Sequence, residues 1–220
     1  HNPIGRVWTD GEMEHIVDLC VEYGVYLLSD EIHADFGMTR PYTTAGRFEK
    51  IHDRLVVYTA ISKTFNMAGL GSSCMMIPNP ELKQKISDSY DACWMFGPCD
   101  LAFTAMEAAY THGDAWVDQQ LAYLEGNVET VNTFVAEHMP GVQVTKHEGT
   151  FLMWLDMTCF GKSSRELTSI LAKEYGLALG DGSHYGTQAE GFMRLNIGCT
   201  RDTLIKGLEQ MAVMYDKYVK

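Results

Sequence analysis

The chain is 220 residues long, 46% of them hydrophobic, and carries a formal charge of −12 at pH 7. A chain of this length and composition can bury a substantial core, in one large domain or two small ones. Its acidic balance argues against a nucleic-acid-binding surface, because phosphate contacts require clustered Lys and Arg side chains. We therefore expect small molecules or other proteins as partners.

The cysteines and the apolar runs indicate the compartment. The cysteines lie singly, without a C-x-x-C pair, at Cys20, Cys74, Cys93, Cys99, Cys159 and Cys199. Isolated thiols of this kind are typical of a reducing compartment, so we predict a cytoplasmic protein without a metal site. No apolar run approaches the ~18 residues of a membrane span, so we predict no membrane association.

The first half of the sequence predicts alternating helices and strands. Thr9-Asp10-Gly11-Glu12 has capping-box spacing, and apolar residues follow it at the helical period, which predicts a helix over 10–23 that ends at Gly24. Apolar runs predict three strands, at Val25–Leu28, Leu55–Thr59 and Ser73–Ile77. The first run is typical of a strand covered on both faces, with Asp30 just after its end. This alternation predicts an α/β sheet.

The second half predicts a helical region followed by a smaller α+β unit. Helix is predicted from Pro80 to about residue 138, with breaks near Gly97-Pro98 and Gly113, and its last segment, 114–138, would link two domains. The later elements are strands at 142–145, 151–155 and 192–197 and helices at 164–175 and 201–219. The apolar run Trp94-Met95-Phe96-Gly97-Pro98 is interpreted either as an interface or substrate-channel segment or as a buried interhelical turn.

Three charged side chains stand at strands in ways that suggest chemistry. Lys63 lies between a buried strand and a glycine turn, which suits an amine that forms a Schiff base, although a strand-end lysine in solvent is the simpler interpretation of Lys63 alone. Asp30 at a strand end can pair with a protonated pyridine nitrogen or cap a turn. Arg194, inside an apolar strand, requires an anion, either a substrate carboxylate or the acid of a salt bridge.

Together these segments resemble the pyridoxal-phosphate (PLP)-dependent aminotransferase-like superfamily of the aspartate aminotransferase fold. Within it, they are most similar to the carbon–sulfur β-lyase branch of cystathionine β-lyase and cystalysin-like enzymes. The resemblance extends over essentially the whole chain. Its motifs are His1–Trp8, Ser29–His33, Ser62–Asn66, Glu148–Leu152 and Arg194–Asn196.

The resemblance implies a role for each matching residue. Lys63 matches the lysine that holds the cofactor covalently and moves the substrate Cα proton, and Asp30 matches the partner of the pyridine nitrogen. Asn2, otherwise a turn former before Pro3, matches the residue that hydrogen-bonds the phenolic oxygen of PLP. Ser62 is a weaker candidate for the phosphate, and Arg194 matches the clamp on the substrate α-carboxylate. The remaining cofactor-binding candidate is His33, which stands where many aminotransferases have Tyr and favours the lyase branch.

The resemblance also implies an organisation. Family members carry a phosphate cradle and a ring-stacking aromatic residue before the His-Asn-Pro loop, and neither is in this sequence. We therefore expect the C-terminal part of the enzyme, with 1–113 as half of the large PLP domain, built on a mixed, mostly parallel sheet, and 114–220 as the small α+β domain. We expect weak PLP retention by the isolated chain and a homodimer in the intact enzyme.

The expected reaction is β-elimination from a sulfur-containing amino acid, such as cystathionine or cysteine, to pyruvate, ammonia and a thiol. One alternative is an aminotransferase of the same fold, which uses the same residues. The other is a non-catalytic, aminotransferase-like effector domain of a transcription regulator.

Overall fold

The computed structural model of the protein describes residues 1–95 and 97–220. The chain divides into two compact units, one of residues Val7–Gln119 and the other of His1–Arg6 together with Gln120–Lys220. We call them the lysine unit and the arginine unit, after Lys63 and Arg194. The predicted domain boundary precedes the helix Asp114–His138, whereas the division between the units falls inside it.

The lysine unit contains a mixed three-stranded sheet and helices. Its elements are α1 (Asp10–Glu22), β1 (Leu27–Asp30), β2 (Leu55–Thr59), α2 (Ile61–Thr64), β3 (Cys74–Met76), α3 (Pro80–Ala92), α4 (Asp100–His112) and the start of α5 (Asp114–His138). The strand order is β1-β2-β3, with β1 parallel and β3 antiparallel to β2. The core of this unit joins α1, the 3-10 turns that precede β2, and β2 itself, through Met13, Val17, Ala45, Ile51, Leu55 and Val57.

Local sequence signals account for the helix ends. The Thr9 hydroxyl accepts a hydrogen bond from the Glu12 amide at 3.2 Å, and the Glu12 carboxylate accepts one from the Thr9 amide at 2.9 Å, so the predicted capping box begins α1. Asn79 is the N-cap of α3, and its side-chain oxygen accepts hydrogen bonds from two backbone amides. These caps satisfy donors that the first turn of a helix leaves without partners.

The prediction for the first strand was wrong in position and in burial. The strand is Leu27–Asp30 rather than 25–28, and Leu28 is 63% exposed. Among the described residues β1 pairs with β2 alone, and its side chains alternate, so Ser29 is buried while Leu28 and Asp30 face outward. Asp30 is therefore accessible on the outer face of the sheet.

The arginine unit contains a four-stranded antiparallel sheet of order β4-β5-β7-β6. Its elements after α5 are β4 (Gln143–Val144), β5 (Leu152–Asp156), α6 (Ser164–Tyr175), β6 (Gly180–Asp181), β7 (Phe192–Asn196) and α7 (Arg201–Tyr218). The two central strands and the helices share an apolar core whose fully buried members include Met153, Leu155, Leu167, Leu171, Met193 and Ile197. The two-residue strand β6 was not predicted, since it is too short to give a periodic pattern.

Three smaller findings bear on the predictions. No helix in the described part of the chain is long and apolar enough to cross a membrane. The described residues contain no group of three or more side chains arranged to hold a metal ion. In the run 94–98, Phe96 lies outside the described residues, and Trp94 and Met95 are 77% and 55% exposed, so these two do not form a buried turn.

Candidate active site

Asp30 lies in a cleft on the exposed face of the three-stranded sheet. It is the last residue of β1, opposite Tyr58 of β2, and its carboxylate accepts a hydrogen bond from the Ile32 amide at 3.1 Å. The cleft has a volume of about 380 Å³ and is lined by Leu28, Asp30, Ile32, Tyr58, Thr59, Ala60 and Ser73. A carboxylate beside mainly apolar walls can pair with a protonated nitrogen of a flat ring.

The acid that follows Asp30 has a different role. Glu31 is buried, and its carboxylate oxygen Oε1 accepts hydrogen bonds from the Ser29 hydroxyl at 2.9 Å and from the Thr44 hydroxyl and Ala45 amide at 3.0 Å. Burial and the Glu31 charge raise the pKa of Tyr42 to about 12. Glu31 therefore joins the end of β1 to the segment around residues 42–45, and only Asp30 of the two acids faces the cleft.

Lys63 and Ser62 lie in α2, a single helical turn that directly follows β2. Both side chains are half-buried. Thr64, the next residue, is almost completely buried and its hydroxyl donates to the Asp35 carboxylate at 2.7 Å. Asp35 belongs to the short 3-10 turn Ala34–Phe36, which directly follows His33. The centroids of the His33 and Phe36 rings are 6.0 Å apart.

Arg194 and Asn2 meet in the arginine unit. The Arg194 guanidinium donates to the Asn2 side-chain oxygen at 2.9 Å and lies over the Tyr185 ring at 5.3 Å from its centroid. Tyr185 contacts Trp154, which lies opposite Arg194 on β5. The alternative interpretation of Arg194, a structural salt bridge with an acid, is not realised among residues 1–95 and 97–220. Its bond to Asn2 leaves further guanidinium donors to bind an anion.

The loop that carries Asn2 is fixed by the turn at residues 147–150. The Gly5 carbonyl accepts from the Glu148 amide at 2.7 Å and from the Gly149 amide at 2.9 Å. Gly5 has φ of 75°, and a Cβ there would collide with the His147 ring, so only glycine fits. Burial lowers the pKa of His147, and its Nε2 lies 3.0 Å from the Thr150 carbonyl. A neutral imidazole that donates from Nε2 satisfies this arrangement.

A fully buried amide holds the end of β7. The Asn127 side chain on α5 donates to the carbonyls of Ile197 at 2.8 Å and Cys199 at 3.1 Å, and its oxygen accepts from the Arg201 guanidinium at 2.8 Å. Every polar atom of the amide that points into the core thus has a partner, as burial requires. These bonds hold the end of β7, the strand that carries Arg194, against α5 and α7.

The structure thus sorts the predicted site residues into two groups. Asp30, His33, Ser62 and Lys63 belong to the lysine unit, and Asn2 and Arg194 are hydrogen-bonded to each other in the arginine unit. Sequence reasoning missed Ile32 and Tyr58, which line the cleft beside Asp30. The sequence did contain a signal for Ile32, because it is an apolar residue two positions after Asp30, the acid that ends β1. Tyr58 could be found only from the pairing of β1 with β2.

Comparison with known proteins places these features in a family. The family model described as "Aminotransferase class I and II" matches residues 1–211. The chain is 38% identical over 213 residues to cystathionine beta-lyase PatB of Bacillus subtilis (strain 168), covering 96% of this chain and 55% of that protein. It is 32% identical over 216 residues to protein MalY of Escherichia coli (strain K12), covering 94% and 53%. The chain spans about half the length of these relatives.

A solved structure shares the fold. Cystalysin from Treponema denticola, whose crystal structure contains a pyridoxal 5′-phosphate cofactor, superposes with a TM-score of 0.93 at 29% sequence identity, over 100% of this chain and 56% of that one. The predicted α/β fold and the predicted resemblance to this superfamily are therefore confirmed.

Proposed function

The chain belongs to the aminotransferase class I and II family, and from this premise we propose that it is the part of a PLP-dependent carbon–sulfur β-lyase that carries the cofactor lysine and the substrate arginine. The reaction is β-elimination of cystathionine or a cysteine-type substrate to pyruvate, ammonia and a thiol. The observation that carries this proposal is the 38% identity to a cystathionine beta-lyase over nearly the whole chain.

The cleft of the lysine unit fits the cofactor. Its walls are mainly apolar and its one acid, Asp30, stands at their edge, which suits a pyridine ring with a protonated nitrogen. PLP, when bound, supplies the electron sink for the charge that develops at the substrate Cα. Asp30 holds the proton on the ring nitrogen, and Ser62, His33 and Asn2 are assigned to the remaining polar groups of PLP.

Lys63 has two tasks in this proposal. Its amine holds the cofactor covalently between turnovers, and when released it takes the proton from the substrate Cα as a general base. A lysine on a short turn next to a strand end can do both, since the turn fixes its Cα while its four-carbon stem lets the amine move.

Arg194 binds the substrate α-carboxylate. Its guanidinium is oriented by the Asn2 oxygen and by the Tyr185 ring, which leaves donors for a bidentate pair with a carboxylate. Fixing the substrate carboxylate orients the substrate Cα–H bond relative to the pyridine ring of PLP. It also reduces the conformational entropy that is lost on reaching the transition state.

We also propose that the intact enzyme is a cytoplasmic homodimer. Family resemblance supports this assembly, and the exposed Trp94 and Met95 are candidates for its interface. Sedimentation of the protein at several concentrations distinguishes a dimer from a monomer.

Product analysis tests the reaction. The protein, expressed from its complete reading frame and supplied with PLP, is incubated with cystathionine or cysteine and no keto acid. We expect pyruvate and ammonia in equal amounts, and none from a Lys63→Ala control. Amino transfer that requires an added keto acid, without pyruvate release, would instead identify an aminotransferase, the second function that the family model supports.

A further inference from the structure

The helical turn that carries Lys63 is too short to be stable by itself. α2 has four residues, Ile61–Thr64, and a single turn fixes several backbone dihedrals for one or two hydrogen bonds. Its last carbonyls also have no partner within the helix. Contacts with other segments must therefore determine where the Lys63 amine stands.

One of these contacts joins the turn to the end of β1. Thr64 is 1% exposed, and its hydroxyl donates to the Asp35 carboxylate at 2.7 Å. Asp35 lies shortly after Asp30 and His33, in the 3-10 turn that follows β1. Since β1 and β2 are parallel neighbours, their carboxyl ends lie side by side, and the Thr64–Asp35 bond ties the two segments that leave them.

A second contact holds the turn from α5. The Trp116 indole donates to the Thr64 carbonyl at 2.9 Å, which satisfies one of the orphan carbonyls of α2. Thr64 is thereby held through its side chain by Asp35 and through its backbone by Trp116. Such a two-point attachment restricts rotation as well as translation of the residue next to Lys63.

Close packing after Thr64 completes the attachment. The Phe65 ring meets Tyr110 edge-on, with centroids 5.9 Å apart. It also lies so near the backbone of Gly113 that a Cβ at that position would collide with it. The residue that follows Thr64 is thereby packed against α4 and against Gly113, just before the start of α5.

We propose that Thr64 and Asp35 are positioning residues that hold the Lys63 amine in place relative to Asp30, with Trp116 as their support on α5. This inference rests on the proposed function, because it concerns the attachment of PLP to Lys63. Thr64 does not itself react with PLP. The inference predicts that a conservative substitution at Thr64 nevertheless changes how PLP adducts are distributed between Lys63 and the other lysines.

Reductive trapping measures this directly. A lysine amine condenses with the aldehyde of PLP, with loss of water, to a C=N bond. Borohydride then delivers hydride to the carbon, and a proton from water completes a stable secondary amine. Because trapping is irreversible, weakly held PLP is also captured. Peptide mass spectrometry gives the share of adduct on Lys63 relative to exposed lysines such as Lys83, at several pH values.

The matched variants are Thr64→Val, which keeps the shape and removes the hydroxyl, and Thr64→Ser, which keeps the hydroxyl. We expect Thr64→Val to lower the Lys63 share roughly fivefold to tenfold, the effect of one hydrogen bond, and Thr64→Ser to retain it. Asp35→Ala should cause a similar loss, and the double variant Thr64→Val/Asp35→Ala no further loss. A purely structural role would lower the unfolding midpoint without changing the Lys63 share or its pH profile in folded protein.

A second variant keeps the test decisive if Thr64→Val fails to fold. Trp116→Phe removes the indole donor and part of the ring from a half-exposed side chain and should lower the Lys63 share roughly twofold to threefold, the effect of a weaker hydrogen bond. If folded Thr64→Val, or Trp116→Phe in its place, labels Lys63 as the parent does, the proposal is overturned and the proposed function stands. If the peptide that contains position 63 carries no more adduct in the parent protein than in a Lys63→Ala control, the proposed function fails, and this inference fails with it.

Discussion

The two units hold their functional side chains in different ways. In the arginine unit, Arg194 stands on the third strand of an antiparallel sheet whose neighbour β5 is buried along most of its length. In the lysine unit, Asp30 ends a strand with an exposed face, and Lys63 stands on one helical turn. The difference teaches that the proposed substrate-binding residue is held by a packed sheet, whereas the proposed cofactor lysine is held by a few polar contacts around a turn.

The largest expected effect is at the buried amide of the arginine unit. Asn127→Ala removes the donor to two carbonyls and leaves the Arg201 guanidinium without its oxygen partner, so we expect a loss of about 2–4 kcal/mol in the free energy of unfolding. Urea denaturation measures it. Asn132→Ala, an exposed position on the same helix, is the control and should change the stability little. A loss at Asn127 no greater than at Asn132 would show that this buried contact does not stabilise the unit.

The corresponding test in the lysine unit is at Glu31. Glu31→Gln keeps the volume and an acceptor oxygen but removes the negative charge that strengthens three hydrogen bonds, so we expect a loss of about 1–3 kcal/mol. The matched control is Glu22→Gln, an exposed acid at the end of α1. Hydrogen exchange locates the effect, which should appear around Ser29, Thr44 and Ala45. Unchanged exchange there would mean that Glu31 does not hold this segment.

A third test separates binding from stability at Arg194. Arg194→Lys keeps the charge but cannot bind Asn2 and a carboxylate with the same fork geometry, so we expect KM to rise roughly tenfold or more with a smaller change in kcat. The measurement is steady-state kinetics of pyruvate release, with the unfolding midpoint as the control. An unchanged KM would show that Arg194 does not bind the substrate carboxylate.

The effect that is smallest at neutral pH is a pH dependence of the lysine unit, because it appears only above pH 10. Burial and Glu31 raise the pKa of Tyr42 from 10.0 to about 12. The folded state thus binds this proton more tightly than the unfolded state, so the stabilisation is complete below pH 10 and is lost as the pH rises toward 12. Tyrosinate absorbance should show a group that titrates near pH 12, and Tyr42→Phe should remove that contribution. Titration of that group in the Tyr42→Phe variant would contradict the assignment.

Local signals in the sequence predicted much of the fold. The helices 114–138 and 164–175 have the predicted bounds, since glycine breaks and a capping box define their ends. The first strand was misplaced because its apolar residues are exposed, which no local pattern reports. The Glu31 network and the bond between Asn2 and Arg194, 192 residues apart in the chain, arise from tertiary packing and could not be read from spacing.

The most direct test of the central claim is the identity of the lysine that PLP modifies. After reduction with borohydride, peptide mapping of the parent protein should place the adduct on Lys63, and Lys63→Ala should lose it without transfer to a neighbouring lysine. An adduct spread over the exposed lysines, equal in the parent and in Lys63→Ala, would contradict the account.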